Sequence, residues 1–151
     1  MTASADESWL EAWRRSRYEF LHGGRWRIFA LDGSARGLPG LSETVTLVTA
    51  WNPGAVEQGL AWNRAADCRL LRSLVANRWA WSPARGRSLP GVEPAWREDG
   101  FAVFGLKTEE MGRIGAEWGQ KALVFVTSGS AGLVMIEDLQ EIHCGLREIV
   151  E

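Results

Sequence analysis

The chain has 151 residues, of which 46% are hydrophobic and 24% charged, and a formal net charge of −2. A chain of that size can bury about 68–70% of its unfolded surface in one domain, which excludes wholesale disorder, and no stretch approaches the roughly 18 apolar residues of a membrane span. Two cysteines, Cys68 and Cys144, are too few for a disulfide scaffold or a CxxC-type zinc site, and the acidic first residues lack the apolar run of a signal peptide; the expectation is a cytoplasmic protein with reduced thiols and no membrane contact.

In chain order, Ser8 and Glu11 have capping-box spacing and predict a short helix over Ser8–Arg15, with Trp9, Leu10 and Trp13 on one face. Tyr18–Leu21 reads as extended, Gly23-Gly24 as a break, and Arg25–Leu31 as a half-exposed strand, followed by a Gly/Pro-rich loop. Thr44–Trp51 is rich in β-branched residues and predicts a strand that Asn52-Pro53-Gly54 stops. A helix is expected from about Val56 to Asn77, with Leu60, Leu71, Leu74 and Val75 as an apolar stripe and Asn63 on the face of Leu70 and Leu74. Trp79–Ser82 predicts a strand leading into a loop through Arg85-Gly86-Arg87, and Phe101–Leu106 predicts another. Thr108 is the expected N-cap of a helix whose stripe is Met111, Ile114, Gly115 and Trp118, and Gly119 is placed to end it. Ala122–Thr127 reads as a buried strand, Leu133–Ile136 as its hairpin partner, and Leu139, Ile142, Leu146 and Ile149 as a final amphipathic segment.

From residue 44 to 127 the order is strand, helix, strand, strand, helix, strand. It predicts a single α+β domain over residues 1–151 with a ferredoxin-like βαββαβ core at about 44–127, both helices on one face of an antiparallel sheet, and extra elements at either end.

Chemistry-bearing motifs are sparse. Neither His22 nor His143 has the neighbouring ligands of a metal site, and Cys144 beside His143 points the wrong way for a catalytic pair; no metal and no cofactor are expected. Phosphate-binding glycine loops and the nucleophile elbow are absent, and Gly112, Gly115 and Gly119 fall in a helix, where they suit close packing. Arginine flanks tryptophan at Trp13, Trp26, Trp79 and Trp96, as single-stranded nucleic acid sites do, yet the pI near 5.8 disfavours nucleic acid as a partner. Residues 1–97 hold thirteen arginines and no lysine against nine acids, whereas the rest of the chain is acidic, so the two halves can attract each other.

The most suggestive residues are polar and lie at the ends of elements: Asn52, Asn63, Glu98 with Asp99, and Gln120. Buried amides and carboxylates must be hydrogen-bonded, so each braces a loop or meets a ligand. The segments Thr49-Ala50-Trp51-Asn52-Pro53, Asn63, Trp96-x-Glu98, Gly105 and Gly119-Gln120-x-Ala122 resemble the bacterial family catalogued as domain of unknown function 3293, over roughly residues 9–127. That family usually carries a small hydroxyl residue soon after the Trp-x-Glu, where this chain has Gly100. The resemblance implies a small soluble bacterial protein and supplies no catalytic residue, cofactor or substrate.

Two functions follow as expectations. The first is a non-catalytic binding module for a small polar ligand or a protein partner, with Asn52, Asn63, Glu98 and Gln120 forming the site and Trp51 and Trp96 its walls. The second is an enzyme with Glu98 as general acid or base, the one residue suited to catalysis. Self-association into a homodimer through a sheet edge, and single-stranded nucleic-acid binding through the Arg/Trp surface, are further alternatives.

Overall fold

The computed structural model describes residues 11–151, and the N-terminal helix expected over Ser8–Arg15 is seen only as a helical turn at residues 11–14; Ser8, Trp9 and Leu10 lie outside the described residues. Nine strands follow: β1 (Ser16–His22), β2 (Arg25–Leu31), β3 (Val45–Val48), β4 (Ala80–Ser88), β5 (Arg97–Phe104), β6 (Ala122–Val126), β7 (Ala131–Met135), β8 (Glu141–His143) and β9 (Leu146–Glu148). Two helices, α1 (Leu60–Ala76) and α2 (Thr108–Glu117), interrupt them.

All nine strands form one sheet in the order β8-β7-β6-β3-β5-β4-β1-β2-β9, and every neighbouring pair is antiparallel. The two end strands are separated in sequence by Cys144 and Gly145 alone, so the chain steps directly from one end of the sheet to the other and the sheet must curl to bring them together. Cys144 and Gly145 both donate their N–H to the Ala131 carbonyl at 2.9 Å, and Gly145 has φ +61° with its Cα against the Ser34 carbonyl, which leaves no room for a side chain. The fold is therefore α+β as expected, but its curled nine-stranded sheet is larger than the four-stranded ferredoxin-like arrangement.

Two apolar clusters follow from strand alternation. One fills the inside of the curl, where Phe20, Phe29, Val45, Val126 and Leu133 are fully buried. The other lies between the sheet's outer face and the helices, where Ala66, Leu70 and Leu74 of α1 and Met111 of α2 meet Val103, Leu123 and Phe125. Each fully buried leucine there is worth about 1.5–3 kcal/mol, which anchors α1 despite its weak amphipathicity. The buried stripe of α1 is Asn63, Ala66, Leu70 and Leu74; Leu60 and Val75, expected in it, are exposed, Leu60 as the first residue of the helix and Val75 because it turns away from the stripe.

Both helices end in a Schellman motif. In α1, Trp79 N–H reaches the Leu74 carbonyl and Arg78 takes φ +60°; in α2, Gln120 N–H reaches the Gly115 carbonyl at 2.8 Å and Gly119 has φ +67°. The N-cap of α2 is Lys107 rather than Thr108: Glu110 accepts from the Lys107 N–H at 2.9 Å, and the Thr108 hydroxyl turns to Glu141.

Three further expectations are corrected. β4 runs through Pro83 and on to Ser88, replacing the expected loop at Arg85-Gly86-Arg87. Pro83 is tolerated because pairing with β1 stops at Ala84, so its missing N–H breaks no ladder bond there. β5 begins at Arg97, so Glu98 and Asp99 lie inside the strand instead of before it. The final amphipathic segment is two short strands, because the sheet ends offer the backbone better partners than an isolated, glycine-broken helix could.

The charge asymmetry is used across the fold. Arg17 pairs with Glu151 and Arg27 with Glu148, each at 2.8 Å, tying the first strands to the last residues of the chain.

Candidate functional site

The turn after β3 is the organising element. Asn52 adopts φ +48°, a left-handed conformation that asparagine tolerates better than most residues, and it precedes a single 3-10 turn at Pro53–Ala55. Its side-chain oxygen accepts from the Gln58 N–H at 2.9 Å and from Asn63 Nδ2 at 3.1 Å, while its own Nδ2 donates to Glu98 Oε1 at 3.1 Å. Asn63, buried on α1, returns the contact by accepting from the Asn52 N–H at 3.2 Å. Glu98, Asn52 and Asn63 are thus one continuous hydrogen-bonded chain running from β5 to α1.

Gln120 joins from the other side. Gly119 ends α2 and carries Pro53 so close that a Cβ at 119 would lie 2.6 Å from the proline Cβ; the Gly119 carbonyl also accepts from the Gly54 N–H at 2.7 Å. Position 119 therefore needs glycine for both its φ and its contact. The Schellman turn then directs Gln120 Nε2 to the carbonyls of Trp51, at 3.3 Å, and Trp118, at 3.1 Å.

These residues border a cavity of about 210 Å³ lined by Trp13, Asn52, Trp96, Glu98 and the segment Gly119–Ala122. A larger cavity of about 610 Å³ shares Trp13, Gln120 and Lys121 with it and continues along Leu133, Met135 and Ile142. Trp96 also borders a small chamber of about 60 Å³ with Tyr18 and Glu98, and its ring lies over Gly86, where a Cβ would sit 3.3 Å from both the Trp96 and Tyr18 rings.

Burial lifts the Glu98 carboxyl above its ordinary pKa, and the Asn52 hydrogen bond opposes that shift only in part. Burial likewise raises Tyr18, with a smaller contribution from the nearby Glu98 charge. The result is an acid with an amide partner at the edge of an open cleft, a group able to accept a hydrogen bond or to hold a proton.

Of the six residues singled out from sequence, four meet here: Asn52, Trp96, Glu98 and Gln120 all line the same cavity. Asn63 stands behind Asn52 and braces it. Trp51 is buried at 7% exposure, with its indole toward Asp67 on α1, and contributes its carbonyl to Gln120 instead of a wall to the cleft. Burial raises the Asp67 pKa, and the Trp51 indole opposes the shift.

Trp13 and Lys121 were not anticipated as lining residues. The contiguity of Lys121 with Gln120 was an available signal; Trp13 gave none, since its helical spacing fits a core residue equally well. Trp81, in the strand expected over Trp79–Ser82, is 39% exposed and edge-on to Phe101. Gly100 stands where a hydroxyl residue was expected: a Cβ there would collide with the Val48 carbonyl, and the nearby hydroxyl is that of Thr49, which donates to the Asp99 carbonyl at 2.8 Å.

Among the described residues no group of three or more His, Cys, Asp or Glu side chains is placed to hold a metal ion. His22 stacks on Phe104, His143 lies 3.3 Å from Glu141, and Cys68 and Cys144 are both free. No helix among the described residues is long and apolar enough to cross a membrane.

No curated protein and no solved structure matches the chain. A family model does match, over residues 48–123, a narrower span than the resemblance at 9–127 but one that contains the β3 turn, Asn63, Trp96, Glu98 and Gln120. The matched segment is half of the chain, and the protein belongs to the family described as protein of unknown function, DUF3293.

Proposed function

We propose that this protein is a binding module for a small polar ligand, held in the cleft between Trp96 and Glu98 on one side and the Gly119–Ala122 segment on the other. One observation carries this reading: the Glu98–Asn52–Asn63 chain ends at the wall of an open cavity of about 210 Å³ that adjoins one of about 610 Å³. Together these volumes suit a metabolite-sized ligand, and convergent polar groups with an aromatic wall are what such sites use. Glu98 and Gln120 would read the ligand's hydrogen-bonding groups, while Trp96 and Trp13 would exclude water.

The test is native mass spectrometry of protein purified from its own host, combined with thermal shifts across a metabolite panel. A retained small molecule, lost on Trp96→Ala, is the expected result. A bare protein with no thermal shift across the panel would overturn the reading.

A second reading is enzymatic, favoured by the raised pKa of Glu98, which suits a general acid or base. Asn52 would then orient the carboxyl and Gln120 would steady the substrate. An activity whose pH profile moves on Glu98→Asp would select it.

We also infer that β6-β3-β5-β4, with α1 and α2 on one face, is a ferredoxin-like unit extended by the flanking strands. The strand order within that subset supports this, as does the helices' shared side of the sheet. The two free thiols support a reducing, cytoplasmic setting. Sheet-edge self-association has little backbone to use, since the end strands β8 and β9 are three residues each.

A further inference from the structure

On the outer face of the sheet, beyond the helices, Arg17 of β1 stands directly opposite Arg87 of β4, and Arg87 directly opposite Arg97 of β5. Directly opposed residues of antiparallel neighbours share a face, so three guanidiniums form one row across three strands. The next row is Glu19, Arg85 and Asp99, again in register. Like charges opposite one another destabilise a sheet, so the first row needs neighbouring anions.

The inner side has them. Glu19, 1% exposed, takes Arg85 on one oxygen and Arg17 at 3.1 Å and Arg87 at 3.5 Å on the other, while Asp99 pairs with Arg97 at 2.8 Å. The outer side has Glu151, 59% exposed, at 2.8 Å from Arg17 Nη1. Four arginines against three acids leave one positive charge in excess. The Nε–H groups of Arg17 and Arg87 are buried with no acceptor, and Arg17 itself is only 6% exposed. Arg87 and Arg97 remain accessible, with side chains 42% and 57% exposed.

We propose that this arginine row is a binding site for a small-molecule oxyanion, a carboxylate or a phosphate group, and that Glu151 is its displaceable intramolecular occupant. The ligand's oxygens would replace the Glu151 carboxylate on Arg17 Nη1 and reach the remaining outward N–H groups of Arg87 and Arg97, since Asp99 already holds Nε and Nη2 of Arg97; hydrogen bonds from charged guanidiniums to an oxyanion are among the strong ones. This site lies outside the Glu98 cleft and is independent of what that cleft binds.

The experiment titrates the full chain with inorganic phosphate and, separately, citrate, against sodium chloride at matched ionic strength. It follows the arginine Nε–Hε signals by ¹H–¹⁵N NMR. Saturable shifts at Arg17 and Arg87 with either probe are expected, and the probe that saturates at lower concentration identifies the ligand chemistry. Glu151→Gln removes the competitor and should tighten binding roughly two- to fivefold, the worth of one exposed ion pair. The double variant Arg87→Gln/Arg97→Gln, at one partly exposed and one exposed position, should abolish saturation. Shifts no larger than those of chloride, or an affinity unchanged by Glu151→Gln, would overturn the proposal.

Discussion

Glu19 and Glu98 are two acids taken out of bulk water in the same sheet, and their surroundings are opposite. Glu19 points to the outer face, is 1% exposed and is surrounded by the guanidiniums of Arg17, Arg85 and Arg87. Glu98 points toward the inside of the curl, is half-buried, and accepts from the neutral amide of Asn52. Depth alone would make Glu19 the more unusual group. Partner chemistry decides otherwise: guanidiniums turn a buried acid into the centre of an ion-pair network, whereas one amide leaves it short of compensation and its pKa rises. The first arrangement ties β1 to β4, and the second leaves a proton-binding group facing a cavity.

The sharpest way to break this contrast is Glu19→Gln. Removing the shared carboxylate leaves three guanidiniums without their common anion, and the expected loss is about 3 kcal/mol, at the low end for a broken buried pair because Arg85 and Arg87 are partly exposed. Urea unfolding measures it; a loss below about 1 kcal/mol would place Glu19 with ordinary surface pairs. Next in size is Asn63→Ala, which strands the Asn52 N–H and removes the brace behind the Glu98 partner. It should cost about 1–3 kcal/mol in the same assay, and it should also shift the Glu98 carboxyl resonance, which a purely local defect in α1 would leave in place.

The smallest effect is the pH dependence carried by Glu98. Its folded pKa lies above the ordinary 4.5, so the native state holds this proton more tightly than the unfolded chain does. The associated stability is fully present below pH 4.5 and is lost as pH rises through the folded pKa. Wild type should therefore lose stability relative to Glu98→Gln as pH climbs above that range, read as a change in the difference between their urea midpoints. Parallel pH profiles for the two proteins would show that Glu98 is not the coupled group.

Much of the local structure was legible because its signals are local. Arg25–Leu31 has the expected bounds of β2, and Gly119 ends α2 as its position implied. The extension of β4 was hidden because Pro83 and Gly86 mimic a loop. Yet Ala84, Arg85, Gly86 and Arg87 alternate small inward residues with charged outward ones, a period of two disguised by composition. Leu139, Ile142, Leu146 and Ile149 misled in the opposite sense: their three- and four-residue spacing fits a helix, but each short strand found an unpaired sheet end.

The candidate site divides in the same way. Asn52, Glu98 and Gln120 stood out individually as polar groups at element boundaries, where a turn-forming Asn-Pro and a helix-ending glycine fix the backbone regardless of the rest of the fold. That Asn52 bonds to Glu98, that Trp51 turns inward while Trp96 faces the cleft, and that Trp13 closes it depend on strands brought together from distant parts of the chain.

Capping, left-handed turns and side-chain alternation act between near neighbours, so the α+β class, most of the strands and both helices were readable in the order of the residues. The curl that makes the ends of the sheet meet, and the row of three arginines from three strands, two of which share one buried glutamate, come from long-range pairing. Register and curvature set those juxtapositions, and both arise from pairings between residues far apart in the chain, which no local pattern encodes.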